Sequence, residues 1–254
     1  MQIDLFLIPF LTGLCFSIVL PILGAYLRMR EEWLAALAYS HVAAAGALLG
    51  LVINVPPAVG GMVFAGLAAF SKRFAINKLA RGASYPLFLI GGWAGAVLLA
   101  ANHPSIERFG HGLFDGQLFF SNMANLGWAL VFSGMSLLAL WKMASQLLLA
   151  HVYPDFFRAR THASWSAKLG FDLLTALLLA LATMSMGVMG VFALIFIPSW
   201  VAFRRASNWR YGLRLATGLG VSGYVIAFLL ALTFDQPFGP TLAVVLITIG
   251  LVIA

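Results

Sequence analysis

Charged residues are scarce in this chain, since Asp, Glu, Lys and Arg make up only 9% of its 254 residues. Soluble domains carry about 25% charged residues, so this composition excludes an ordinary soluble protein. Among the charged residues the acidic ones are fewer, with eight Asp and Glu against fifteen Lys and Arg. Only Glu31 and Glu32 are adjacent, and no two other acids are spaced as a carboxylate pair for acid–base catalysis.

Several other features of enzymes and of secreted proteins are missing. The single cysteine, Cys15, excludes an intrachain disulfide. No glycine-rich stretch is followed by Lys-Ser or Lys-Thr, so the chain has no phosphate-binding loop of the Walker type. No Ser, His and Asp are spaced as a nucleophile with its base. We therefore expect no enzymatic activity and no tightly bound cofactor, and any use of ATP would have to come from a partner protein.

Apolar residues dominate, at 62% of the chain with a mean hydropathy of +0.99. A helix needs about 20 mostly apolar residues to cross a bilayer, and the apolar runs have this length. The sequence predicts an all-α, polytopic membrane protein with about eight or nine transmembrane helices in a single transmembrane domain, residues 1–254. The predicted crossings are 5–24, 34–53, 55–71, 84–101, 124–148, 170–186, 188–203, 212–233 and 239–254.

The basic residues fall in four clusters, and only Arg108 stands outside them. Basic residues accumulate in cytoplasmic loops, so the clusters predict a multi-pass protein of the inner (plasma) membrane with its N-terminus outside. This topology explains the net charge of +7, and we expect no nucleic-acid partner. The clusters are 28–30, 72–81, 142–168 and 204–214.

Glycines predict how the helices are divided and packed. A single helix over 170–203 would be about 50 Å long, against a hydrocarbon core of about 30 Å, so we expect two crossings with a break near Gly187 and Gly190. Small residues at helical spacing predict close helix packing. These are Gly46/Gly50, Gly91/Gly95 and Gly218/Gly220/Gly223. The longest external piece, 102–122, is expected to re-enter or cap the bundle.

His41 is the candidate functional residue, because it lies near the middle of the second crossing among small residues. Ionisable groups at membrane depth are costly and usually face the bundle interior or a polar cavity. A neutral imidazole is also a common metal ligand. From residue type alone, a metal ligand and a histidine hydrogen-bonded to a neighbouring helix remain equal alternatives. His103 and His111, outside the membrane, are either solvated or receive metal from a donor protein.

Four stretches in order resemble the membrane permease family of bacterial zinc/manganese/iron ABC importers, over roughly residues 20–245. Residues 234–240 are similar to the family's aromatic-Asp-x-Pro-x-Gly-Pro external turn, and 187–202 to its Gly-to-Ile-Ile-Pro-Ala-Ala-Thr-Ala stretch. Ser40-His41 with Gly46 resembles its Gly-Asp-x-Leu-Ser/Ala-His segment, and Pro154-Asp155 the start of its coupling helix.

The resemblance implies a homodimeric permease in the lipid bilayer with two cytoplasmic ATP-binding cassette ATPases and an extracytoplasmic metal-binding protein. The coupling helix would cover about 154–163, an amphipathic stretch that could otherwise be an interfacial helix. Its contacts to the ATPase would come from Pro154, Asp155, Phe157, Arg158 and Arg160. The external turn would be built by Asp235, Pro237, Gly239 and Pro240.

One departure from the family bears on the cargo. The family's pore-lining Asp, four residues before the His, is replaced here by Leu37, while the His is kept as His41. Imidazole without a hard carboxylate favours zinc over manganese, so zinc is the expected transported ion. Tyr39 and Ser40 could add oxygens to the pathway. Alternatives are manganese, iron or a metal chelate.

A stand-alone channel or secondary transporter is the competing class. It would need an internal site for energy coupling, typically intramembrane acids. Asp172 is the acid nearest to such a position, since the others lie at or near the ends of predicted crossings.

Overall fold

The structure is a computed structural model that describes residues 3–75, 84–153 and 161–253. All regular structure in these ranges is helical, and we number the ten α-helices in chain order. They are α1 (Ile3–Met29), α2 (Leu34–Val52), α3 (Pro57–Ala75), α4 (Ser84–Asn102), α5 (Pro104–Asp115), α6 (Met123–Val152), α7 (Thr161–Met186), α8 (Val188–Arg205), α9 (Trp209–Thr233) and α10 (Phe238–Ile253), with a 3-10 turn at Leu118–Phe120.

The predicted all-α membrane fold is confirmed. Among the described residues, seven helices are long and apolar enough to cross a membrane. Two shorter apolar helices, Pro57–Lys72 and Phe238–Ile253, match the remaining predicted crossings. The one additional α-helix in the described ranges is α5, which lies in the predicted external piece between α4 and α6.

The predicted break in 170–203 is found at Gly187, between α7 and α8. Its backbone has φ 77, a conformation that glycine adopts without the steric cost that a Cβ would add. A Cβ there would also lie 2.5 Å from the carbonyl oxygen of Phe114. The break therefore depends on glycine both for its backbone angle and for the approach of the chain that ends α5.

Helix α2 lies against both α3 and α4, and glycines allow the close approach. A Cβ on Gly60 of α3 would be 2.3 Å from the carbonyl oxygen of Gly46, so the predicted packing at Gly46 is confirmed. On α4 the prediction holds for Gly95, where a Cβ would lie 3.6 Å from the Cβ of Ala45 on α2, but not for Gly91. A Cβ on Gly91 would meet no atom within 4 Å, whereas a Cβ on Gly92 would contact the α2 backbone. A Cβ on Gly218 would likewise meet nothing within 4 Å.

Four charged side chains form a closed ring at the end of the bundle predicted to be cytoplasmic, and we call Arg30, Glu32, Lys72 and Asp172 the charge ring. Arg30 lies 3.0 Å from Glu32 and 3.1 Å from Asp172. Lys72 lies 3.2 Å from Glu32 and 3.0 Å from Asp172. Each acid thus contacts both bases. Lys72 also donates a hydrogen bond to Tyr85 of α4.

The two adjacent acids of the α1–α2 corner have different surroundings. Glu31 is exposed with φ 57, whereas Glu32 belongs to the charge ring. Burial alone would raise the pKa of Glu32, but the charges of Arg30 and Lys72 outweigh it and hold the pKa below its ordinary value. Glu32 is therefore ionised in the folded protein, and its stabilising contribution is lost only as the pH falls below the unfolded-state value, about 4.3.

We expect Glu32→Gln to lower the free energy of unfolding by about 2 kcal/mol, because hydrogen bonds to charged groups are lost in a partly buried site. Thermal denaturation of the purified protein in detergent measures the effect. Glu31→Gln is the matched control and should change stability by no more than about 0.5 kcal/mol. Equal effects of the two substitutions would contradict the assignment of Glu32 to a stabilising network.

Candidate functional site: the accessible face of α2

Helix α2 is nearly enclosed, and only a narrow face of it is accessible. Between residues 34 and 50, every residue is buried except Leu34, Leu37, His41, Val42 and Leu49. Spacings of three and four residues bring Leu34, Leu37 and His41 onto one side of a helix. The single histidine of α2 therefore lies on the part of the helix that a solute could reach.

A hydrogen bond within α2 determines which nitrogen of His41 is free. Nδ1 of His41 lies 2.8 Å from the carbonyl oxygen of Leu37. Because a carbonyl oxygen only accepts, Nδ1 carries the proton in this bond. The neutral ring then has its unprotonated lone pair on Nε2. Metal-binding histidines commonly donate their second ring N–H to such a carbonyl, which fixes the orientation of the ring.

Helix α5 packs over the outer part of α2 and α4. This position agrees with the prediction that 102–122 caps the bundle. The helix begins with Pro104 in its first turn, and its buried Ile106 and Leu113 join a cluster with residues of α2 and α4. The ring of Phe114 lies 5.9 Å from the His41 imidazole, centroid to centroid. His41 is thus partly accessible and lies beside the C-terminal end of α5.

An open apolar groove of about 520 Å³ runs beside this site between α2, α3 and α4. Its two most polar residues, Asn102 and His103, lie at the outer end of α4. The groove also reaches Gly92, where a Cβ would lie 2.6 Å from the carbonyl carbon of His41. Its lining consists of Val42, Ala45, Leu49, Phe64, Gly91, Gly92, Gly95, Leu98, Leu99, Asn102 and His103.

We expect Gly92→Ala to displace α4 from α2 and to destabilise the protein by about 1–3 kcal/mol, as overpacking of a close contact does. Gly91→Ala is the matched control on the same helix. It should be neutral or stabilising by up to about 1 kcal/mol, since its Cβ meets nothing and alanine favours helix. Thermal denaturation compares the two, and a larger loss for Gly91→Ala would contradict the packing described here.

Other predicted site residues have different positions. Tyr39 is fully buried, with its ring 5.9 Å from that of Tyr85, and Ser40 is buried with a hydroxyl that has no hydrogen-bond partner. Both lie away from the accessible face of α2. Pro154, Asp155, Phe157, Arg158 and Arg160, predicted to contact the ATPase, lie outside the described residues.

The predicted external turn follows α9 and leads into α10. Asp235 has φ 51, while Gly239 and Pro240 fall in the first turn of α10. A Cβ on Gly239 would be 2.6 Å from the carbonyl oxygen of Asp115 and 2.9 Å from that of Met186. The turn, the end of α5 and the α7–α8 break therefore meet at one point, opposite the charge ring along the bundle.

In the described ranges, no three His, Cys, Asp or Glu side chains are grouped to hold a metal ion. His41 consequently offers a single nitrogen in one protomer. A ligand set around it would need a second chain, backbone oxygens or water.

The helices long and apolar enough to cross a bilayer define a polytopic helical membrane protein. The chain matches the ABC 3 transport family over residues 2–254, and it belongs to that family, whose members are transmembrane components of ABC transporters. The resemblance found in the sequence is thereby confirmed.

Individual relatives agree with the family assignment. The chain is 22% identical over 231 residues to the chelated iron transport system membrane protein YfeD of Yersinia pestis, covering 90% of this chain and 77% of YfeD. It shares its fold with PsaBC from Streptococcus pneumoniae in complex with Fab, at a TM-score of 0.83 and 18% identity over 96% of this chain and 88% of the other. It also shares its fold with an inward-facing structure described as a metal-chelate type ABC transporter. The TM-score is 0.70 and the identity 18%, over 93% of this chain and 81% of the other.

Proposed function

We propose that this chain is the permease subunit of an ATP-driven importer of metal ions, with zinc as its cargo. The observation that supports this function best is His41, the one ionisable side chain on the accessible face of α2. Its Nδ1–H is held by the carbonyl of Leu37, which leaves Nε2 for a passing ion. A single nitrogen binds weakly, and weak binding suits conduction because the ion must leave again.

The proposed assembly is a homodimer in the bacterial inner membrane, with a cytoplasmic ATPase on each protomer and an extracytoplasmic metal-binding protein. A second copy would bring a second His41 to the pathway, which one protomer needs because its described residues contain no complete metal site. Transport would proceed by alternating access, driven by the ATPase through residues about 154–163.

A metal chelate is the second candidate cargo. The groove beside α2 is about 520 Å³ and lined mostly by apolar residues, and small-molecule sites have about this size and character. A bare ion needs neither the volume nor the apolar walls. The relative YfeD is named for chelated iron transport, which agrees with this alternative.

The stand-alone channel or secondary transporter is less well supported. Its required intramembrane acid would be Asp172, but this carboxylate is paired with both Arg30 and Lys72. An acid neutralised by two cations is poorly suited to exchange protons or ions during transport.

Uptake into vesicles that contain the permease, its ATPase and its binding protein tests the function. We expect ATP-dependent uptake of zinc. An excess of zinc should suppress this uptake more strongly than the same excess of manganese or iron does. Uptake of an iron chelate, with no response to free zinc, would favour the second candidate. Uptake that continues without the ATPase would contradict the importer.

A further inference from the structure

The charge ring joins parts of the chain that are far apart in sequence. Asp172 pairs with Arg30 across 142 residues and with Lys72 across 100 residues. Arg30 and Glu32 belong to the corner between α1 and α2, Lys72 to α3, and Asp172 to α7. Two of the four ion pairs therefore hold α7 to the rest of the bundle, and both of them involve Asp172.

The ring is mostly enclosed by protein, with two of its residues buried and two partly exposed. Lys72 and Asp172 are 6% and 8% exposed, and aromatic rings cover the two cations. The guanidinium of Arg30 lies 4.6 Å from the centroid of Phe171, and Nζ of Lys72 lies 4.6 Å from that of Tyr85. An unpaired charge buried in such surroundings is costly unless water reaches it. The ion pairs are therefore expected to be either fully formed or fully broken.

We propose that the charge ring is a cytoplasmic latch, closed in this structure, which the ATPase opens by moving α7. Helix α7 begins at Thr161, directly after Arg160, the last of the residues predicted to contact the ATPase. A displacement of those residues would therefore reach Asp172 along one helix. On the other side of the latch, the α1–α2 corner leads into the helix that carries His41. This proposal depends on one part of the proposed function, namely that an ATPase drives this permease, and not on the identity of the cargo.

The latch explains why so polar a cluster is present at all. Opening the cytoplasmic end between α7 and the α1–α2 corner must break both pairs of Asp172, after which Glu32 still neutralises part of the charge on Arg30 and Lys72. Water entering the opening would solvate the separated groups. Closed and open arrangements can then both be stable, which is the property of a two-state element that couples distant sites.

Spin labels on either side of the latch test the proposal. Leu34 and Lys168 are exposed, and Lys168 lies one helical turn before Asp172. The labels are attached to Leu34→Cys and Lys168→Cys in a Cys15→Ala background, since Cys15 is the only native cysteine. Distances are measured in the complex of permease and ATPase, without nucleotide and with ATP trapped by vanadate. We expect the distance between the two labels to be short in one nucleotide condition, with the latch closed, and longer in the other, with the latch open.

Asp172→Asn should populate the long distance in both conditions. Because this change leaves two cations facing one anion, it could also impair folding, so the double variant Lys72→Met/Asp172→Asn is measured beside it. The double variant keeps the neutral Arg30–Glu32 pair, and it too should lose the short distance while it assembles normally. Glu31→Gln, which changes an exposed acid of the same corner, is the control and should behave as wild type.

The latch is overturned if the double variant keeps the nucleotide-dependent change of wild type, because the ring then serves only for stability. It is also overturned if wild type shows one distance in both conditions. These results are independent of the cargo. A failure of zinc uptake with intact nucleotide-dependent distances would reject the proposed cargo and leave the latch in place.

Discussion

Replacing His41 by Ala is expected to reduce zinc uptake by about 100-fold or more, since changes even beyond the direct ligands of metal sites cost 10–100-fold. The only ionisable group on the accessible face of α2 is removed, and no other described acid, His or Cys is grouped to replace it. Uptake into vesicles containing the whole transporter measures the effect. ATP hydrolysis in the absence of metal should be retained, because His41 is far along α2 from the charge ring.

His151→Ala is the matched control for this substitution. It removes an exposed imidazole in the last turn of α6, so it should leave uptake unchanged. His41→Gln separates ligand chemistry from packing, because an amide of similar size cannot present the imidazole lone pair. Normal uptake by His41→Gln and by His41→Ala would remove His41 from the pathway.

The lengths and positions of the crossings could be predicted because they depend on local properties. An apolar run of about 20 residues crosses the membrane wherever it occurs, so the predicted span 84–101 corresponds to α4, Ser84–Asn102. The break at Gly187 followed from a limit on length. Neither prediction needed any knowledge of distant residues.

Helix α5 could have been found in the sequence but was predicted only as a capping piece. Pro104 favours the first turn of a helix, and Ile106, Phe109 and Leu113 recur at helical spacing. Gly110 and Gly112 within it weaken a helix in isolation. In the structure a Cβ on Gly110 would lie 3.3 Å from the methyl group of Ala100, so tertiary contact compensates for low propensity.

The charge ring could not be predicted, because three of its four pairs lie 40, 100 and 142 residues apart. Arg30 and Lys72 were explained by their side of the membrane, which accounts for their position in the sequence but not for their partners. Likewise Glu31 and Glu32 looked equivalent as neighbours. Only the turn at the α1–α2 corner, where Glu31 has φ 57, separates an exposed acid from a paired one.

The position of Leu37 leads to the prediction with the most direct bearing on cargo. Leu37 is partly accessible on the same face as His41 and one helical turn away, where a carboxylate could reach an ion held by the imidazole. We expect Leu37→Asp to increase manganese uptake relative to zinc by about tenfold, or about 1.4 kcal/mol, because a hard oxygen ligand suits manganese. Competition between the two ions in vesicle uptake measures the ratio.

Leu34→Asp provides the matched control, since it adds the same carboxylate to the same face but seven residues from His41. At 1.5 Å per residue this separation is about 10 Å along the helix, beyond the reach of a shared ion. Leu37→Asn adds an oxygen without charge and should give a smaller shift than Leu37→Asp. If both acidic variants change the ratio equally, the effect comes from general attraction of cations. If Leu37→Asp alone shifts the ratio, ion selectivity is determined at the turn of α2 between residues 37 and 41.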